Sequence, residues 1–179
     1  MKIAVIGSRE TKSETISFMC GTVRRLAIDH PEITWVSGGC TDGPDKIVTH
    51  LALTYGIKHK IYLPNERRLT QLKREGNINL CVAADYTTAK YRDVITELHP
   101  YPQHLKDFTF ELHGRNLNII AGENLNNNVH AVFYAGLVNA DGTIKGGTGM
   151  GIAYAKSLNI PCFNGNSMDE VIEFLTMLK

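Results

Sequence analysis

A parallel α/β sheet wound with helices on both faces is what this sequence predicts, and three observations predict it. Short apolar runs bounded by turn residues alternate with longer stretches whose apolar residues recur at helical spacing. Glycine-rich turns follow the first two runs, and another opens a late helix. The composition is that of a folded chain: 179 residues, 43% hydrophobic and 21% charged, enough to bury a core without disulfide or metal staples. Strands buried on both faces read as near-continuous apolar runs, as these do.

The first run, Lys2 to Ile6, ends in the polar turn Gly7-Ser8-Arg9-Glu10. Ser13 is the expected N-cap of a helix reaching about Ile28, with Ile16, Met19, Cys20, Val23 and Ala27 on one face. A second strand, Ile33 to Val36, breaks at Ser37-Gly38-Gly39-Cys40-Thr41-Asp42-Gly43-Pro44-Asp45. Pro44 suits the first turn of the next helix, whose stripe is Ile47, Val48, Leu51, Ala52 and Tyr55 and which Gly56 closes. Lys58 to Leu63 reads as the third strand.

The middle, about 65–125, reads as a mostly helical, polar insertion in one domain spanning 1–179. Within it, 79–84 is either a short strand or a buried helix end, and His99-Pro100-Tyr101-Pro102 breaks the chain. Leu105 to Ile120 follows as one helix, with Phe108, Leu112, Arg115 and Ile119 at helical spacing, and Asn124 to Asn128 is a loop. Val129 to Tyr134 is a strand, Gly146 to about Leu158 a helix, Ile160 to Phe163 a last strand and Met168 to Leu178 a closing helix.

Composition excludes some functions. Nineteen Lys and Arg against eighteen Asp and Glu leave +1, so the chain lacks the overall charge of a nonspecific DNA coater, though not a local basic patch. The basic stretch Arg67 to Arg74 lacks interleaved aromatics and reads as a solvated helix face. Cys20, Cys40, Cys81 and Cys162 are scattered, without a C-x-x-C, and read as small buried hydrophobes in a reducing compartment. His99, His104, His113 and His130 contain no i,i+4 pair, so no metal and no cofactor is expected. No apolar run approaches a membrane span, and the one at Met1 to Ile6 is too short for a signal peptide. The expectation is a soluble, cytoplasmic protein beginning at Met1.

In such a sheet, ligands bind beyond the carboxyl ends of the strands, where strand order reverses. Glycine lets the backbone approach an anion, and a helix N-terminus supplies free N–H groups. The expected phosphate-binding residues are Gly7, Ser8 and Arg9; Ser37, Gly38 and Gly39; and Gly146, Gly147, Thr148, Gly149 and Met150. The spacing fits neither a P-loop nor Gly-x-Gly-x-x-Gly.

Val5-Ile6-Gly7-Ser8-Arg9, Val36 to Asp45 and His50 together resemble the nucleotide-binding domain of the DNA-processing protein A (DprA/Smf) family. Gly146-Gly147-Thr148-Gly149, before a helix running into Leu158-Asn159-Ile160-Pro161, resembles the wider SLOG superfamily. That superfamily joins DprA to the Lonely-guy cytokinin-activating phosphoribohydrolases, whose Met-His-x-Arg-Lys is similar to Leu112-His113-Gly114-Arg115-Asn116. The layout is close to that of short DprA-like proteins encoded by bacteriophages. The resemblance implies a Rossmann-like doubly wound sheet, self-association as a homodimer or higher homo-oligomer, and a host cytoplasm if the chain is phage-encoded.

Lonely-guy enzymes carry Gly-Gly-x-Gly-Thr-x-x-Glu, and the overlay puts Met150 at the threonine and Ala153 at the catalytic glutamate. Arg115 stands at the family arginine. The first expectation is a nucleoside 5′-monophosphate N-glycosidase releasing free base and (deoxy)ribose 5-phosphate, with a substitute carboxylate acting on the oxocarbenium-like sugar. Glu123 is the first choice, since it follows the Arg115 helix; Asp45 is second, with Asp42 and Glu10 behind. The alternatives are a DprA-like single-stranded-DNA-binding recombination mediator, or a noncatalytic nucleotide sensor or sequestering protein.

Overall fold

The structure, a computed structural model, describes residues 1–73, 76, 79–82, 88–99 and 101–178, without the side chains of 81 and 82. Six strands form one sheet: β1 Lys2–Gly7, β2 Thr34–Ser37, β3 His59–Leu63, β4 Leu80–Val82, β5 Ala131–Ala135 and β6 Cys162–Asn164. Their order is β4-β3-β2-β1-β5-β6, and every pairing is parallel. Seven α-helices among the described residues connect them: α1 Ser13–Asp29, α2 Asp45–Tyr55, α3 Glu66–Lys73, α4 Ala89–Leu98, α5 Asp107–Ala121, α6 Gly146–Ser157 and α7 Met168–Met177. The predicted Rossmann-like doubly wound α/β fold is thus the observed one.

Both faces of the sheet are covered, and β1 divides them by its alternation. Ile3 and Val5 point to a core shared with Met19, Val23, Trp35, Phe133 and Phe174, under α1, α2 and α7. Ala4 and Ile6 point the other way, to a core with Tyr91, Leu117, Ile120, Met150 and Tyr154, under α4, α5 and α6. Phe133 and Phe174 stack with ring centroids 4.7 Å apart, fixing α7 to the sheet.

Several boundaries differ from the sequence reading. Ser13 is the first helical residue rather than the cap; Lys12 holds the cap position without a side-chain bond. The second, fifth and sixth strands each start one or two residues later than read, at Thr34, Ala131 and Cys162. Val129 instead donates its N–H to the Ile120 carbonyl (2.8 Å) and closes the turn between α5 and β5. Within 79–84 the strand alternative holds for Leu80–Val82, while 83 and 84 lie outside the described residues. The helix expected from Leu105 begins at Asp107, after a 3-10 turn at Pro102–His104. The expected loop at 124–128 opens with a 3-10 turn, Glu123–Leu125. Pro100, Arg74 and the Cys81 side chain also lie outside the described residues, while Cys20, Cys40 and Cys162 are half-buried rather than fully buried.

The strand order reverses at β1, which pairs with β2 on one side and β5 on the other. The carboxyl ends of β1 and β5 are tied by the Ser8 N–H donating to the Ala135 carbonyl (2.9 Å). That junction is where a ligand crevice belongs in an open parallel sheet.

Candidate phosphate-binding site

All three glycine turns lie at the carboxyl edge, and two adjacent residues of α5 tie them together. The Arg115 guanidinium donates to the Gly38 carbonyl (3.2 Å), to the Cys40 Sγ (3.1 Å) and to the Asn116 Oδ1 (2.8 Å). Asn116 in turn donates to the Gly147 carbonyl (3.0 Å). The β1 turn joins through the Gly7 N–H, which donates to the Asp45 carboxylate (3.1 Å). Arg115 stands 3.7 Å from Asp45, and the two are 7% and 3% exposed. Beneath the loops, then, lies a buried ion pair.

The electrostatics follow from that burial. Desolvation pushes the Asp45 carboxyl above the usual carboxylate range, while the Arg115 charge and the Gly7 N–H act against it. Arg115 keeps its proton: burial opposes the charge, but Asp45 and Cys40 outweigh it. Burial also raises the Cys40 thiol, with the Asp45 charge adding to it, so Cys40 is not an activated nucleophile. His113, 4% exposed, is driven down to about 4 by desolvation, with the neighbouring His99 and Arg115 charges adding to it. Its ring meets the edge of His99, with centroids 5.3 Å apart. His113 Nδ1 and Arg115 Nε have no hydrogen-bond partner among the described residues.

The three turns are not equivalent. A Cβ on Gly38 would meet Asp45 Oδ2 at 2.6 Å and Arg115 Cζ at 2.7 Å, so this turn is glycine because protein fills the space. Ser37 is buried too, its hydroxyl donating to the Val5 and Asp45 carbonyls. Arg68 closes over the same turn, donating to the Gly39 carbonyl at 3.0 Å. Gly147, by contrast, is exposed, and a Cβ there would meet only Asn116 Nδ2, at 3.4 Å. Gly146 beside it has nothing within 4 Å of that position. The start of α6 is the open part of the edge.

Its polarity favours an anion. The first turn of α6 holds no acidic residue and no side-chain cap, and exposed Lys145 occupies the cap position. A lysine there opposes the positive end of the helix dipole unless a negative group sits between them. Arg9 stands exposed after β1 at the same edge. Thr148 and Met150 face inward and are buried, so side-chain contact to a ligand would come from Lys145 and Arg9 rather than from them.

The structure does not bring Glu123 to this edge. From Arg115 to the end of α5 at Ala121 the helix rises about 9 Å, α5 runs from the carboxyl edge to the amino edge, and Glu123 lies beyond that end. There Glu123 pairs with Lys60 near the start of β3 (2.5 Å), in a turn also held by Lys2 on Asn127 and by Lys90 on the Asn124 carbonyl. Convergence of Glu123 and Arg115 on one crevice is therefore corrected. Asp45 does lie with Arg115, but both are spent on each other. Asp42 and Glu10 are exposed at the loop rims, and Asp42 accepts from the Thr41 hydroxyl (2.9 Å). Asn116 and Lys145 were missed, and Arg68, read as part of a solvated face, is half-buried on the Gly39 carbonyl; for Asn116 the available signal was a polar residue in the apolar middle of a helix.

Among the described residues no His, Cys, Asp and Glu cluster could hold a metal, and no helix is long and apolar enough to cross a membrane. No family profile matches the chain, and no curated protein matches it. Among solved structures, the DNA processing protein A of Helicobacter pylori, described for its unique single-stranded DNA binding mode, aligns with a TM-score of 0.58 at 19% identity. The alignment covers 92% of this chain and 64% of that one, so the chain spans under two thirds of its neighbour's length. At that identity the likeness is one of fold, and the fold this chain has is DprA-like.

Proposed function

We propose that the chain is a DprA-like member of the SLOG superfamily that binds the phosphates of single-stranded DNA at the carboxyl edge of its sheet. The observation that carries this reading is the contrast within the site. The N–H groups at the start of α6 stand open beside Lys145, while Asp45 and Arg115, which would do chemistry, neutralise each other underneath. The fold shared with a single-stranded-DNA-binding protein supports the same reading. An N-glycosidase needs a carboxylate at the sugar, and Ala153 offers none, Glu123 is at the other edge and Asp45 is buried. Self-association is proposed from the family resemblance, and a cytoplasmic setting from the scattered thiols together with that resemblance.

Few cations line the edge, so binding should depend only modestly on salt. Two or three phosphate contacts give a log–log slope of about −1.4 to −2.1 for a single strand. The test is fluorescence anisotropy of a labelled oligo(dT), with a parallel assay for free base from each nucleoside 5′-monophosphate. The expected result is oligonucleotide binding without base release. Base release would restore the glycosidase, with Asp42 or Glu10 as the carboxylate, and absence of oligonucleotide binding would overturn the proposal.

A further inference from the structure

The segment leading into α5 carries a second feature of the carboxyl edge that phosphate contact does not use. Phe108 is 60% exposed and Tyr101 is 63% exposed, although each is a large aromatic beside a well-packed core. Phe108 lies seven residues before Arg115, two turns of helix, so both fall on one stripe of α5. Along that stripe Arg115 enters the glycine turns, and Phe108 stands about 10 Å further out, beyond the edge of the sheet. Between them Asn65, in the loop after β3, donates to Glu111 (3.0 Å) and fixes this end of α5 to the carboxyl edge.

Tyr101 is held to the same place by a different route. Its N–H donates to His99 Nδ1 (3.1 Å), and the His99 ring packs on His113, two residues from Arg115. Exposed Gln103, His104, Lys106 and Asp107 interleave the two aromatics. Polar and charged side chains between exposed rings, at the same sheet edge as the proposed anion site, make a poor protein interface core but a suitable bed for bases.

We infer that Tyr101 and Phe108 are stacking platforms for the bases of a single strand whose phosphates run along the α6 N-terminus. This inference rests on the reading of the site as a single-strand phosphate site. Every base has a π-face, so the platforms would favour single strands over duplex without reading sequence.

The test compares labelled oligo(dT) with an abasic oligomer of equal length, on the wild type, Phe108→Ala, Tyr101→Ala, the double variant and Phe108→Trp. The wild type should prefer oligo(dT) to the abasic strand. Each alanine should weaken oligo(dT) binding about tenfold, leaving the abasic strand and the salt slope unchanged, since stacking energies of this size are typical per base. Phe108→Trp should keep the affinity, and its fluorescence should be quenched on binding. Equal binding of the two oligomers by the wild type would overturn the stacking inference while leaving the phosphate reading intact. So would full oligo(dT) affinity in the double variant. If the wild type bound neither oligomer, both would fall together.

Discussion

Arg115 is the residue on which the carboxyl edge turns, because it satisfies Asp45, Gly38 and Asn116 at once from a buried position. Arg115→Met leaves the Asp45 carboxylate in low dielectric with the Gly7 N–H and the Cys40 thiol as donors. The expected loss is about 3–5 kcal/mol, read as a lower denaturant midpoint, and adding Asp45→Asn should recover part of it. His113 supplies a pH prediction. Its folded pKa, about 4, lies below its ordinary 6.5, so the unfolded chain binds the extra proton first. Stability from this group is complete above pH 6.5 and drains away as pH falls toward 4, by on the order of 3 kcal/mol. The groups facing it are His99 and Arg115, and the Asp45 shift has the opposite sign: its raised pKa favours the folded state as pH falls. Comparing urea midpoints of wild type and His113→Gln from pH 4 to 7 isolates the histidine; the variant should show the shallower acid loss. The family resemblance singled out Arg115, and its place beside the glycine turn Asp45, yet neither said that the two face each other. A motif gives positions, whereas partnership is a matter of which loops the sheet brings together.

At the level of elements, α6 and the hairpin before it form a unit. Val138 and Ile144 bridge antiparallel, and the Lys145 N–H donates to the Leu137 carbonyl (2.8 Å), which delivers the chain to the α6 N-terminus. The hairpin sits so close that a Cβ on Gly149 would lie 1.8 Å from the Ile144 carbonyl oxygen. Gly149→Ala must displace it, at about 1–3 kcal/mol, whereas Gly147→Ala should be neutral or slightly stabilising in a helix. Calorimetric melting of the two variants checks this. Gly147→Asp should also fold, since a first-turn acid suits the helix dipole, yet lose oligonucleotide binding because its charge occupies the anion's place. From the sequence, Gly147 and Gly149 are indistinguishable; only packing separates a glycine open to a ligand from one pressed against a carbonyl. Five of the six strands were legible to within two residues because apolar runs in a doubly covered sheet have few alternatives, while Leu80–Val82 stood as one of two readings. Glu123 was misplaced for the complementary reason: adjacency to the Arg115 helix says nothing about which end of the sheet that helix reaches.

Across the whole molecule, the two edges of the sheet differ in kind. The amino edge is closed by an ion pair from Lys60 and hydrogen bonds from Lys2 and Lys90 to the 123–127 turn. The carboxyl edge instead keeps Gly146, Gly147, Lys145 and Arg9 exposed at the point where strand order reverses. Parallel topology puts every strand's exit at that one edge, so a near-neutral chain can still present a local anion site. The most direct measurement of the account is an amide-resolved NMR titration of the full chain with oligo(dT). The account predicts the largest shifts at Gly146, Gly147 and Thr148, smaller ones at Ser8 and Arg9, and none at Glu123, Asn124 and Leu125. Shifts centred on the 123–127 turn, or an unchanged spectrum at saturating oligonucleotide, would contradict it.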